Sequence, residues 1–139
     1  MIRALLAVSI AAALLAASLP AVESAAADRT AAAIDRDVDR IERAGASLLA
    51  ADDPGARRIV TVSLPGGSLV ETGVDSFAIS CELACVVRYS LRHGVSRTRR
   101  LPFPIATPGG PVRFGTSGAH RLRLGLAEGG GVTVVTVRG

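Results

Sequence analysis

The chain has 139 residues, enough for one domain and an attached segment. Hydrophobic residues make up 49% but aromatics only 3%, with no Trp, which leaves few rings to stack on sugars or single-stranded nucleic acid and weakens both readings. All sixteen basic residues are arginine, and the formal charge of +4 hides an asymmetry. Residues 1–56 carry five arginines against eight acids (−3), whereas residues 57–139 carry eleven against four (+7). The distal part is therefore a basic module suited to an acidic partner.

The first predicted element is residues 2–22, which carry no charge between Arg3 and Glu23. As a helix those nineteen uncharged residues span about 28 Å, close to the hydrocarbon thickness of a bilayer. Three readings stand open. An uncleaved anchor has this length, and Arg3 on its N-terminal side places the N-terminus in the cytoplasm and the remainder outside. A signal peptide has this basic n-region and apolar run, with small residues at 25–27 for cleavage, and would leave a secreted protein. A buried core helix needs a larger domain around it than the rest of the chain supplies.

Residues 24–50 are strong helix formers apart from Gly45. Small or apolar residues recur at Ala27, Ala31, Ile34, Val38, Ile41, Gly45 and Leu48, in steps of four and three. This heptad-like stripe packs either on the chain's own domain or on another subunit. Pro20 separates the two helical stretches and predicts a kink or break there. Asp52-Asp53-Pro54-Gly55 ends the second stretch, because a residue before proline disfavours the helical region.

From Arg57 the period changes to two. Strands are predicted at 58–64, Val74–Cys81, Cys85–Leu91, 95–101, 111–114, 119–126 and Val132–Val137, with glycine-bearing turns between them. Residues 102–111 hold four of the seven prolines and read as an extended loop or sheet edge. The expected fold class is α+β: a long N-terminal helix, then a small antiparallel β-sheet or β-sandwich head. The segments are 1–22 as anchor or signal, 23–55 as amphipathic helix and 56–139 as an extracytoplasmic β domain.

Little in the chain points to catalysis. Cys81 and Cys85 fall at the facing ends of two strands joined by Glu82-Leu83-Ala84, which sets them at disulfide separation in a compartment where the bond forms. Free thiols, or a metal site recruiting His93 and His120, are the other readings, and C-x-x-x-C with two distant histidines is not a specific zinc spacing. Neither histidine has a nearby nucleophile or carboxylate in a triad pattern, and no acids pair as a general acid/base couple. The glycine runs match no phosphate-binding loop. No enzyme, cofactor, metal, small-molecule substrate or nucleic-acid partner is expected. Arg97, Arg99, Arg121 and Arg123 fall at alternate strand positions, so each pair shares one sheet face. They form either a solvated outer face or a docking face for an acidic partner.

The order of apolar helix, proline, amphipathic extension and β head resembles type IV pilin-like subunits, whose helix is both membrane anchor and filament core. The run has no acid before Glu23, which points away from a main filament subunit and toward an accessory or minor one. The stretches ADRTAAAIDRDVDRIERA, DDPGARRIVTVSLP, CELACVVRYSLR and VTVVTVRG resemble a small haloarchaeal membrane-anchored protein family encoded among pilus or secretion genes. The resemblance implies a non-enzymatic component of an archaeal type IV pilus or secretion system, partnered by the membrane and by other subunits. A secreted or tethered monomeric β-sandwich binding module is the alternative.

Overall fold

Residues Ile2–Ala51 form one α-helix, α1, of 50 residues, about 75 Å long at 1.5 Å per residue. The computed structural model describes residues 2–68, 70–82, 84–92, 94–128 and 131–137. Leu83, His93, Gly129 and Gly130, which the sequence places in turns, lie outside these. Contrary to the expectation at Pro20, the helix is unbroken there. Proline removes one N–H, and hence one bond to the carbonyl four residues earlier, but the Ala- and Leu-rich turns on both sides carry the helix across. Ser9 and Ser18 donate their hydroxyls to the carbonyls of Leu5 and Leu15, each at 2.8 Å. An otherwise apolar surface thus keeps its polar side chains satisfied within the helix.

The helix stops at the Pro54–Gly55 turn, where Gly55 takes a positive φ of 94°. Eight strands follow among the described residues: β1 Arg57–Leu64, β2 Val74–Cys81, β3 Cys85–Leu91, β4 Ser96–Arg100, β5 Ile105–Ala106, β6 Val112–Phe114, β7 Gly118–Leu126 and β8 Val132–Val137. They form two four-stranded sheets, ordered β1-β7-β8-β5 and β4-β3-β2-β6. The fold is α+β, as the sequence predicts. One pairing is not antiparallel: β5, inside the proline-rich segment, runs parallel to β8 through Ile105↔Val132 and Ala106↔Thr133. Two residues between prolines carry too short a pattern to read as a strand, and they sit at a sheet edge, where missing proline donors cost least.

The inner faces of both sheets meet in one core. Val62, Leu122, Leu124 and Val132 enter from the first sheet, and Phe77, Ile79, Val87, Tyr89 and Leu91 from the second. The helix stripe completes it. Ala31, Ile34, Val38, Ile41 and Leu48 are at most 1% exposed, and Ala27 packs at the margin. The stripe therefore packs on the chain's own head and is not left for another subunit. Burying each large member contributes about 1.5–3 kcal/mol, so these contacts are the main hold between helix and head. No described residue before Ala26 is buried.

Gly45, the weak point in helix propensity, has a packing reason. A Cβ built there would lie 2.2 Å from the far end of the Phe103 ring. Phe103, from the proline-rich segment, thus lies directly on the helix backbone, and Gly45 leaves it room. Gly45→Ala should lower the thermal midpoint although alanine favours a helix by about 1 kcal/mol. Gly45→Ala combined with Phe103→Leu should recover part of the loss, so a double-mutant cycle by thermal denaturation in detergent should return a coupling energy well away from zero. Additive effects would refute this packing.

Candidate functional site

One flank of α1 is acidic. Asp28, Asp35, Asp39 and Glu42 follow at steps of seven, four and three, so they share a face beside the apolar stripe. That flank meets β4. Arg99 bonds Asp39 at 2.5 Å and approaches Glu42 at 3.3 Å, and Arg97 lies 3.7 Å from Asp35 and 3.8 Å from Asp28. Behind them Tyr89 donates its hydroxyl to Asp35 at 3.1 Å. Burial, then the charge of Asp35 and that hydrogen bond, push the Tyr89 phenol up to about 12, opposed in part by Arg97. Partial desolvation pulls the Arg99 guanidinium down. The hydrogen bond to Asp39 and the charges of Glu42, Asp39 and Asp35 outweigh it and leave Arg99 above its ordinary value.

These arginines are more than a third exposed, so each pair is worth less than about 1 kcal/mol. The seam orients the helix, and the stripe holds it. On the other flank Asp37, only 3% exposed, accepts the Ser63 N–H at 2.7 Å and pairs with Arg40. A helix carboxylate thereby covers part of the open edge of β1.

The structure revises the arginine face drawn from the sequence. Arg97 and Arg99 stand opposite Tyr89 and Val87, on the inner side of their sheet, and are committed to the helix acids. Arg121 and Arg123 belong to the other sheet, where they alternate with buried Leu122 and Leu124 and remain exposed. The four do not make one surface. Alternation showed that each pair shared a face but not what lay over it.

Arg57, opposite Gly125 on β1, joins Arg121 and Arg123 on the outer face of the first sheet. On the outer face of the second, Arg88, Ala78 and Arg113 form one cross-strand row, with Arg100 two residues along from Thr98, the partner of Arg88. Among the described residues none of these six arginines takes part in an ion pair. The sequence signal for the missed members was the alternation of Arg88 with Val87 and Tyr89 and of Arg113 with Val112 and Phe114.

The cysteines of the β2–β3 hairpin are paired in register and bonded, with Cα atoms 4.1 Å apart. Cys85 Sγ also sits 3.0 Å from the Ile105 carbonyl, a contact rather than a hydrogen bond because an oxidised sulfur carries no proton. With both thiols consumed, a metal site built on them is closed. His120 stacks on Phe114 at 4.2 Å between ring centroids and lies 2.8 Å from the Thr116 carbonyl, which accounts for it as a packed and hydrogen-bonded residue. Among the described residues no three metal-binding side chains cluster. An open depression of about 620 Å³ lies between the disulfide hairpin and the proline-rich segment, lined largely by Leu101, Phe103, Ile105 and prolines.

The remaining feature is the first half of α1. It is long and apolar enough to cross a membrane, and none of its apolar window is covered by the head. This matches single-pass anchoring. The chain belongs to the DUF7311 family. That family's model, described as a domain of unknown function, matches residues 1–139. No curated protein and no solved structure matches the chain.

The raised Tyr89 value links stability to alkaline pH. Its folded value of about 12 lies above the unfolded 10.0, so its contribution is intact below about pH 10 and is lost as pH rises toward 12. Denaturation midpoints should fall between pH 10 and 11.5, and less steeply in Tyr89→Phe. Equal slopes would show that the Tyr89 phenol is not raised in the folded protein.

Proposed function

We propose that this chain is a single-pass membrane-anchored, non-enzymatic subunit, with a cytoplasmic N-terminus and the β head outside. In this reading it is an accessory or minor pilin-like component of an archaeal type IV pilus or secretion system. The observation that carries the membrane part is a helix with an uncovered apolar first half, continuous with a second half locked to the head. Arg3 before the run supports the orientation. The pilus or secretion setting rests on the resemblance of layout and sequence stretches. Because the stripe is buried in the chain's own head, contacts between subunits fall to residues 2–25 and to the outer faces. The same burial favours the second reading, a tethered monomeric binding module.

Fractionation with N-terminal sequencing of the mature protein tests the anchor. An intact apolar segment in the membrane fraction is expected, and a soluble product cleaved near residues 25–27 would refute it. Single cysteines at Leu6 or Leu14 should form crosslinks in membranes if the span assembles, and none if the module is monomeric. Replacing Arg57, Arg121 and Arg123 with Gln should weaken capture of an acidic partner while leaving the thermal midpoint unchanged. Unchanged capture would remove the first sheet's outer face from the binding surface.

A further inference from the structure

We propose that the end of the β head nearest the span is a lipid-contacting foot, in which the described residues of the β1–β2 loop (65–68 and 70–73) and of the β3–β4 turn (92 and 94–95) sit in the headgroup layer. The inference rests on the membrane-anchored reading above and specifies where the head stands relative to the bilayer.

The first argument is one of level. Gly67, Ser68, Glu71, Thr72, Gly73 and Arg92 line one crevice of about 490 Å³ together with Leu19, Val22, Glu23 and Ala26 of α1. The loop therefore reaches down beside the last turn of the apolar run. That run has no length to spare. Its nineteen residues span about 28 Å against a hydrocarbon core of about 30 Å, so Val22 lies at the hydrocarbon boundary. Three residues separate Val22 from Ala26, the first buried against the head. This rise of about 6 Å is roughly one headgroup layer. Whatever lies level with residues 22–26 is within that layer, and what lies level with Leu19 is at the edge of the hydrocarbon.

The second argument is that the foot is held there. Thr30 Oγ1 donates to the Thr72 carbonyl and accepts the Thr72 N–H, both at 3.0 Å. Arg92 N–H bonds the Gly73 carbonyl at 2.8 Å, and Val74 N–H bonds the Pro65 carbonyl at 3.1 Å. Loop and turn are thus tied to each other and to the helix one turn above the crevice.

The third argument is composition. Outside the free half of the helix, the exposed large apolar side chains among the described residues are Leu49, Ile59, Val70 and Val95. Val70, 58% exposed, lies in the loop, and Val95, 37% exposed, closes the turn. A valine exposed singly needs no explanation, but two at the end continuous with a membrane span have one. The charges at this end are Glu23, Asp28, Glu71 and Asp75 against Arg29, Arg92 and Arg97, so acids are in the majority. Contact is therefore apolar, with no need for anionic lipid.

Because the chain has no Trp, a single introduced one is a clean reporter. Val70→Trp, Val95→Trp, Leu14→Trp and Ile59→Trp would each be reconstituted in phosphatidylcholine vesicles carrying shallow brominated acyl chains. Leu14 lies mid-span, and Ile59, beside the Arg58–Asp52 pair at the far end of α1, is remote from the membrane. Leu14→Trp, Val70→Trp and Val95→Trp should be blue-shifted and quenched, and Ile59→Trp neither. Quenching of Val70→Trp and Val95→Trp should not need added phosphatidylglycerol. Quenching at Leu14 alone would overturn the foot and leave the anchor standing. Loss of quenching at all four would overturn both. A blue shift without quenching at the two valine positions would mean that protein, such as a second copy, covers them, and would also overturn the foot.

Discussion

The structure depends on the burial of one helix stripe. Ile34, Val38, Ile41 and Leu48 place the second half of α1 against the inner faces of two sheets, completing a core that neither sheet closes alone. With only three Phe and one Tyr in the chain, that core is mostly aliphatic, and it is filled by shape. Gly45 is the clearest case. A residue that weakens the helix is what lets the Phe103 ring lie on it, so local propensity is given up for packing.

Once the stripe is seated, the charges around it are sorted. The acidic flank of α1 turns to β4 and takes up Arg97 and Arg99, while Asp37 on the other flank meets the backbone of β1. These partly exposed pairs add little stability, but they set arginines against the acids of the helix flank. The basic surplus of the distal chain then appears on two outer sheet faces, each with three arginines outside any ion pair among the described residues. The charge asymmetry along the sequence becomes an asymmetry between the helix flank and the outer sheet faces.

In the membrane-anchored reading, the same seating sets the relation of head to membrane. Because α1 is one helix from Ile2 to Ala51, no linker intervenes between the apolar span and the packed half. In that reading the height of the head, and the end of it that faces the bilayer, follow from helix geometry, at about 1.5 Å per residue. Pro20 removes a hydrogen bond without ending the helix, so the apolar half and the half packed on the head share one unbroken helix.

The α+β order, most strand positions, the disulfide partners and the apolar stripe were legible in the chain, because each rests on local periodicity or short spacing. The acidic flank at positions 28, 35, 39 and 42 was also written there as a helical repeat, but its partners were not. A period of two tells which residues share a face and leaves open which face is covered. Tertiary packing decided that Arg97 and Arg99 face the helix while Arg121 and Arg123 face solvent, and that the stripe is filled by the chain's own sheets. It also decided that a two-residue strand between prolines runs parallel to β8. These contacts join residues far apart in sequence, and side-chain periodicity along one segment carries no information about the segment opposite it.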